Sequence, residues 1–275
     1  MAPTNNEQTT RRGLSERESR ALARLTSQNN EIFRIDELAE ALDTTYDSAK
    51  TTAARLETNG WVARLKPGVY LVVPLAAGED SQYTAHEFVT ANHLVEPMYI
   101  SFWSALGFHG FTEQVPRSVY VATTKRRQDR TVHDVEYHLI TLAERKFFGA
   151  EQFDVGGHTV PIATQEKTLA DCADLPRHCG GIRELAKGIR AGPDGYDPDV
   201  LLEYARRIGN GAAIKRLVYL MDHYGVTVPD REGLEAGFTQ GTSPLDPTRS
   251  AKGTYAPEYR LYVNVPDEKL PTSHA

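Results

Sequence analysis

Three amphipathic segments followed at once by a β-hairpin pattern occupy the first quarter of the chain, and this order restricts the fold more than any other feature. Apolar residues recur at helical spacing over 15–28, 33–42 and 46–58. Ser15 and Glu18 form the S-x-x-E pattern of a capping box, which marks the start of the first helix. The sequence therefore predicts three short helices that share one core.

A hairpin is predicted directly after the third helix, over the segment WVARLKPGVYLVV at 61–73. Side chains alternate up to Lys66, Pro67-Gly68 is typical of a tight turn, and a strongly β-forming run follows. Three helices, with a short turn between the second and third, followed by a hairpin are the element order of a winged helix-turn-helix. In such a module the third helix enters the major groove of DNA and the hairpin, or wing, lies beside it. We predict this module over residues 14–75.

Polar side chains on the third helix and cations on the hairpin are the predicted DNA contacts. The helix candidates combine groups that can hydrogen-bond base edges with groups that can bind phosphates, and Tyr46 and Thr51 are favoured for the bases. The hairpin cations flank the rigid turn and are expected to anchor the DNA backbone. The candidates are Tyr46, Ser48, Lys50, Thr51, Arg55, Arg64 and Lys66.

The charge pattern of the sequence favours DNA binding only weakly. The formal net charge of the chain is -6, although a net value does not show how charge is distributed over the surface. Residues 44–74 carry four cations against two carboxylates. Winged helices also serve as protein-binding modules, so a pure protein-interaction role stays open as an alternative.

A second basic cluster is predicted in a loop between two strands of the later sequence. It could contact a phosphate backbone, and a solvated hairpin tip is an equally good interpretation. This second candidate contact consists of Lys125, Arg126, Arg127 and Arg130.

The remaining sequence predicts a larger mixed α+β domain over 82–266, after a small polar linker at 76–81. Disordered tails are expected at 1–13 and 267–275, and a long loop at 239–257. The predicted helices are 84–94, 102–107, 165–173, 182–189, 199–208 and 212–224, and the predicted strands are 118–124, 135–142 and 260–265.

Enzyme chemistry is not predicted. The sequence has no nucleophile elbow, P-loop, HExxH helix or usable metal-ligand triad, and its nine histidines are scattered, so we expect no cofactor and no metal. Asp171 and Asp174, in the helical segment TLADCADL, are explained by capping and solvation. Cys172 and Cys179 are separated by six residues, which fits neither a zinc ribbon nor a redox pair, so two reduced structural thiols are expected.

The expected location is the cytoplasm. No apolar run is long enough to cross a bilayer, and the first residues, MAPTNNEQTTRR, lack the apolar core of a secretory signal. No membrane partner is therefore predicted.

Four segments carry a resemblance to a known family. They are SAKTTAARLETNGWVARLKPGVYLVVP, YISFWSALGFHGFTEQVPRSVYVATTKRR, PIATQEKTLADCADLP and PLDPTRSAKGTYAPEYRLYVNVP. Together they resemble the AbiEi-type antitoxin and transcriptional regulator family of type IV toxin-antitoxin systems, over about residues 32–266. The shared motifs are hydrophobic and turn patterns rather than reactive residues.

The resemblance implies a winged helix that binds inverted repeats in the promoter of its own operon. It also implies a C-terminal domain that opposes a nucleotidyltransferase-like toxin without forming a stable complex with it. The leading hypothesis is thus a sequence-specific, autoregulating transcriptional repressor that acts as a type IV antitoxin. The alternatives are a solitary regulator and a DNA-directed nuclease or nucleotidyltransferase relative, which would need a carboxylate pair that binds Mg²⁺.

Overall fold

The chain folds into two compact units of mixed α and β structure. A computed structural model describes residues 13–27, 31–73, 87–114, 117–132, 135–250 and 252–272. The first unit contains the described residues up to Glu96 together with 130–136 and 154–159, and the second contains the rest. The predicted linker at 76–81 lies outside the described residues, and the first continuous stretch of the first unit extends to Glu96. The predicted α+β class is confirmed.

The α-helices and β-strands of the described residues follow closely on one another along the chain. The helices are α1 (Glu16–Thr26), α2 (Ile35–Ala41), α3 (Tyr46–Thr58), α4 (Glu87–Asn92), α5 (Phe102–Phe108), α6 (Gln165–Asp174), α7 (Ile182–Arg190), α8 (Pro198–Ile208), α9 (Gly211–His223) and α10 (Arg231–Ala236). The strands are β1 (Ile32–Arg34), β2 (Val62–Lys66), β3 (Val69–Val72), β4 (Met98–Ile100), β5 (Ser118–Thr123), β6 (Arg130–Val132), β7 (Val135–Thr141), β8 (Ala150–Val155), β9 (His158–Ala163), β10 (Ser243–Pro244), β11 (Thr254–Ala256) and β12 (Leu261–Val263).

In the first unit, α1, α2 and α3 share one apolar core with a small antiparallel sheet of order β1-β3-β2. The predicted capping box is present, since the Ser15 side chain accepts from the Glu18 amide and the Glu18 side chain accepts from the Ser15 amide. The prediction of helix from Phe33 was wrong at its start. Phe33 pairs with Tyr70 across β1 and β3, their rings are stacked with centroids 5.8 Å apart, and the helix begins only at Ile35.

The second unit contains β4, β5 and most of β7, β8 and β9, and these strands are hydrogen-bonded in the order β7-β5-β4-β9-β8. Strand β4 runs antiparallel to β5 and parallel to β9. Helix α6 lies at the centre of the helical layer, in contact with α5, α7, α8 and α9. Both its apolar and its polar side chains are therefore buried. A second small sheet, of order β10-β12-β11, packs Leu261 into the same core.

Several short elements of the second unit differ from the sequence prediction. The stretch 239–257, predicted as a loop, contains β10 and β11, whose partner β12 follows later in the chain. The predicted disordered tail is wrong for residues 267–272. Leu270 is buried in the core, and the carbonyls of Pro271 and Thr272 accept hydrogen bonds from Tyr224 and Arg190 at 3.0 Å each.

Candidate functional site

Helix α3 turns a polar face to solvent because its apolar residues all lie on the opposite side. Ala49, Ala53 and Leu56 are buried, and the two small alanines let the helix pack closely against α2. The predicted contact residues on α3 all occupy the exposed face, and Tyr46 at its first turn is 54% exposed. These exposed candidates are Tyr46, Ser48, Lys50, Thr51 and Arg55.

The hydroxyl groups on this face are partly committed to local hydrogen bonds. Thr45 caps the helix by accepting from the Ser48 amide at 3.4 Å, and its own hydroxyl donates to the Ser48 Oγ at 3.0 Å. The Thr51 hydroxyl donates to the Asp47 carbonyl at 3.0 Å. Thr51 is therefore left as an acceptor towards solvent, whereas Ser48 can still donate.

The turn between α2 and α3 is held from α1. Asp43 adopts a left-handed conformation with φ of 48°, which reverses the chain between the two helices. The Arg17 guanidinium donates to the carbonyl of Leu42 and, at 3.2 Å, to that of Asp43. Sequence reasoning missed Arg17, since nothing in the pattern of α1 indicates which distant carbonyls its side chain reaches.

Arg55 has a carboxylate partner that the sequence pattern did not show. Its guanidinium is ion-paired with Glu18 of α1, with 62% of the Arg55 side chain and 7% of the Glu18 side chain exposed. Burial acts to raise the pKa of Glu18, but the hydrogen bonds from Ser15 and the charge of Arg55 outweigh it and lower the pKa below its ordinary value. The positive charge of Arg55 is thus already balanced within the first unit.

The hairpin of β2 and β3 departs from simple alternation. A bulge shifts the register between Arg64 and Lys66, so that Arg64 faces Tyr70 and Lys66 faces Val69 while Leu65 has no register partner. Leu65 is buried and Arg64 is exposed. Neither Arg64 nor Lys66 forms a salt bridge with any residue in the described ranges.

The start of α3 and the hairpin turn lie side by side. Gly68 closes the turn with φ of 79°, and its carbonyl accepts from the first amide of α2, that of Ile35, at 3.1 Å. The Tyr46 hydroxyl oxygen lies 3.9 Å from the position that a Cβ on Gly68 would occupy. The structure therefore brings together the helix and hairpin portions of the predicted contact surface.

The second basic cluster is divided between the two units. Lys125, Arg126 and Arg127 lie exposed in the loop after β5, as predicted, and form no salt bridge with a described residue. Asp129 fixes the end of this loop by accepting from the Leu139 amide at 2.9 Å. Arg130 instead belongs to the first unit, where it donates to the Leu65 carbonyl at 3.2 Å.

The second unit contains a buried ionic network on α6 that corrects the sequence interpretation of its two aspartates as solvated. Lys167 and Asp171 are ion-paired with no appreciable exposure, and Asp171 also accepts from Ser101 at 2.8 Å and Tyr99 at 3.2 Å. Asp174 pairs with Lys146 at 2.5 Å. Burial, together with the Asp171 carboxylate, raises the pKa of Tyr99 well above its usual value.

The two cysteines of the second unit are free and buried in its core. The Cys179 thiol donates weakly to the Pro176 carbonyl at 3.3 Å. Burial raises the pKa of the Cys172 thiol well above its ordinary value, which disfavours the reactive thiolate. This arrangement is that of apolar packing groups.

The architecture that these features define is a two-unit α+β protein. No protein-family model matches the chain, and no curated protein does either. Among solved structures, the chain is similar to the Rv2827c protein from Mycobacterium tuberculosis, with a TM-score of 0.68 at 17% sequence identity, over 93% of this chain and 94% of that one. At this identity the likeness shows a shared fold. No helix in the described ranges has the length and apolar character needed to span a bilayer.

Proposed function

We propose that residues 14–73 form a winged helix-turn-helix and that the protein is a sequence-specific, DNA-binding transcriptional repressor. The observation that carries the proposal is the position of the Tyr46 hydroxyl beside Gly68, because it joins the exposed face of α3 to the hairpin turn in one surface. A helix and an adjacent hairpin can then engage the same duplex.

Helix α3 has the dimensions and chemistry of a recognition helix. Its thirteen residues extend over about 20 Å, and the major groove of B-DNA, about 12 Å wide, admits an α-helix. Residues near the N-terminus of such a helix reach base edges, which assigns that role to Tyr46 and Thr51. Since the Thr51 hydroxyl donates its proton to the Asp47 backbone carbonyl, we assign Thr51 an acceptor role towards an amino group of adenine or cytosine.

The phosphate contacts are assigned to side chains whose charge is not balanced by a described carboxylate. Lys50 on α3 and Arg64 and Lys66 on the hairpin meet this condition, whereas Arg55 is paired with Glu18. Duplex DNA carries one negative charge per about 1.7 Å of its axis, so separate cations on one surface can each reach a phosphate. Arg55 is therefore assigned to positioning α3.

The biological part of the proposal rests on the resemblance to AbiEi-type regulators. On this resemblance, the DNA target is an inverted repeat in the protein's own promoter. The cognate partner is a nucleotidyltransferase-like toxin, which the protein opposes without forming a stable complex with it. An inverted repeat can be filled by two copies of the winged helix related by a two-fold axis. A solitary regulator would have the same DNA-binding surface and no toxin.

The nuclease alternative is not favoured by the environment of the α6 aspartates. A Mg²⁺ site needs carboxylate oxygens that are free to coordinate the ion. Asp171 is held by Lys167, and Asp174 by Lys146 and by Asn210 at 2.7 Å. These contacts support a structural role for both carboxylates.

The decisive experiment measures binding of the full chain to a duplex of its upstream promoter and to a random duplex at several salt concentrations. We expect log affinity to fall linearly with log salt, and Lys50→Ala or Arg64→Ala to reduce the slope by about 1 on both duplexes. Tyr46→Ala should weaken binding to the promoter more than binding to the random duplex, because a base contact carries sequence information. Absence of binding to the promoter at low salt would overturn the repressor proposal.

The antitoxin assignment has its own test. If a nucleotidyltransferase-like protein is encoded beside this chain, its growth inhibition on expression should be relieved by co-expression of the wild-type chain. Retained relief by a Lys50→Ala, Arg64→Ala double variant that no longer binds DNA would separate toxin opposition from repression. Failure of the wild-type chain to relieve inhibition, with promoter binding intact, would identify a solitary regulator.

A further inference from the structure

The bulge in β2 leaves a backbone acceptor on the outer edge of the hairpin. Strand β2 is an edge strand in the order β1-β3-β2, and Leu65 is the residue that the bulge leaves without a register partner. An unpaired carbonyl on an edge strand needs a donor from solvent or from another segment. Here the donor comes from elsewhere in the same unit.

Arg130 supplies that donor across a separation of 65 residues. Its Nη1 donates to the Leu65 carbonyl at 3.2 Å, and β6, which begins at Arg130, contacts β2. Leu65 stands between Arg64 and Lys66 in the chain, so the guanidinium lies at the stretch of backbone that carries the two hairpin cations. The geometry thus places three cationic residues around one bulge.

The side chain of Arg130 has no charged partner among the described residues. The residue is exposed, and within the described ranges it forms no salt bridge with a carboxylate. A guanidinium has five N–H donors, of which the Leu65 carbonyl uses one, so a planar edge with several donors is still free. Arginine binds phosphate oxygens through paired N–H groups, which makes a phosphate the fitting ligand.

We infer that Arg130 is a third phosphate-binding residue of the wing, acting with Arg64 and Lys66 on the backbone of duplex DNA. The inference rests on the proposed DNA-binding function and extends it, because the wing then includes a residue from outside the helix-turn-helix segment. The hydrogen bond to Leu65 fixes the guanidinium at the bulge before DNA arrives, so less side-chain freedom is lost on binding. Arg126 and Arg127 belong to the loop of the second unit, where the Arg127 guanidinium donates to the Arg126 carbonyl at 3.3 Å.

The test compares the salt dependence of duplex binding by the wild-type full chain, Arg130→Gln, Arg130→Lys and Arg183→Gln. The Arg130→Gln variant loses the charge but keeps a polar side chain with N–H donors at an exposed position, which limits the risk of unfolding. Arg183 is an exposed arginine on α7 with no salt bridge in the described ranges, so its variant controls for the same change in net charge.

We expect Arg130→Gln to reduce the slope of log affinity against log salt by about 0.9. The fold-decrease in affinity between 50 and 200 mM salt should then be about threefold smaller for the variant than for the wild type. Arg130→Lys and Arg183→Gln should keep the wild-type slope. An unchanged slope for Arg130→Gln, with Lys50→Ala and Arg64→Ala reducing theirs, would reject Arg130 as a phosphate contact and leave the proposed function intact. A wild-type chain that binds no duplex would overturn both.

Discussion

The guanidinium of Arg55, in the last turn of α3, is ion-paired with the largely buried carboxylate of Glu18 on α1. Glu18 also accepts from the Ser15 amide at 2.9 Å and from its hydroxyl at 2.6 Å, so one carboxylate closes the capping box and joins two helices. A capping side chain therefore fixes the position of the helix that we assign to the DNA groove. The relationship gives Arg55 a structural partner and leaves Lys50 as the α3 cation without a carboxylate partner among the described residues.

Replacing Arg55 should affect stability more than the electrostatics of DNA binding. Arg55→Ala leaves the Glu18 carboxylate without its charged partner, and we expect the free energy of unfolding of the first unit to fall by about 1–2 kcal/mol. Arg20→Ala is the matched control, because Arg20 pairs with Glu16 on α1 with both side chains largely exposed and should change stability by less than about 0.5 kcal/mol. Denaturant titration measures both.

The same variant has a second readout in DNA binding. Since the Arg55 charge is balanced by Glu18, Arg55→Ala should alter the salt slope less than Lys50→Ala does. Equal reductions of the slope by the two variants would show that Arg55 leaves Glu18 and contacts phosphate.

The Glu18 interaction should also depend on pH. Because its hydrogen bonds and ion pair lower the folded-state pKa of Glu18 below the ordinary value of 4.5, they stabilise the folded state above that pH. This contribution is lost as pH falls through the lowered folded-state pKa. The stability difference between wild type and Glu18→Gln should thus be constant at neutral pH and shrink below about pH 4.5, as measured by urea denaturation. A difference that does not change down to about pH 3 would contradict the assignment.

Arg17 should act on DNA binding through the turn that it supports. Arg17→Ala removes donors from the carbonyls of Leu42 and Asp43, and we expect a loss of about 1 kcal/mol in the stability of the first unit. Promoter affinity should fall, because α3 follows directly from this turn, but the salt slope should stay at the wild-type value. A slope reduced by about 1 would instead identify Arg17 as a phosphate contact.

The buried pair in α6 should be essential to the second unit. Lys167→Met leaves Asp171 buried without its charged partner and with only Ser101 and Tyr99 as donors, and breaking such a pair costs about 3–5 kcal/mol. Lys252→Met, at an exposed lysine, serves as the control and should be close to neutral. A loss below about 1 kcal/mol for Lys167→Met in chemical denaturation would show that the pair adds little.

Local patterns were sufficient where an element is stabilised by its own residues. The capping box of Ser15 and Glu18, the end of α3 near Asn59 and the turn at Pro67-Gly68 all depend on neighbours within a few positions, and the structure has each of them. Strand β1 was not predicted because Phe33 and its neighbours fit a helical pattern equally well. Pairing with β3, almost forty residues later, decided their conformation.

The partners of charged side chains were beyond what local patterns could show. The pattern placed Asp171 and Asp174 on a helix and left their surroundings open, and the packed helical layer then buried both beside lysines. Likewise, Arg130 was one member of a basic run until tertiary contacts joined it to the hairpin at Leu65.

The sequence by itself determined the three helices, the hairpin and the mixed α+β class, because helical periodicity, capping and turn chemistry act between residues close in the chain. Only the tertiary structure decided which cations of the candidate surface are neutralised, as Arg55 is, and which residue from later in the chain joins it, as Arg130 does. The physical reason is that ion pairs and edge-strand hydrogen bonds form between groups brought together by packing, and their separation along the chain carries no signal of that contact.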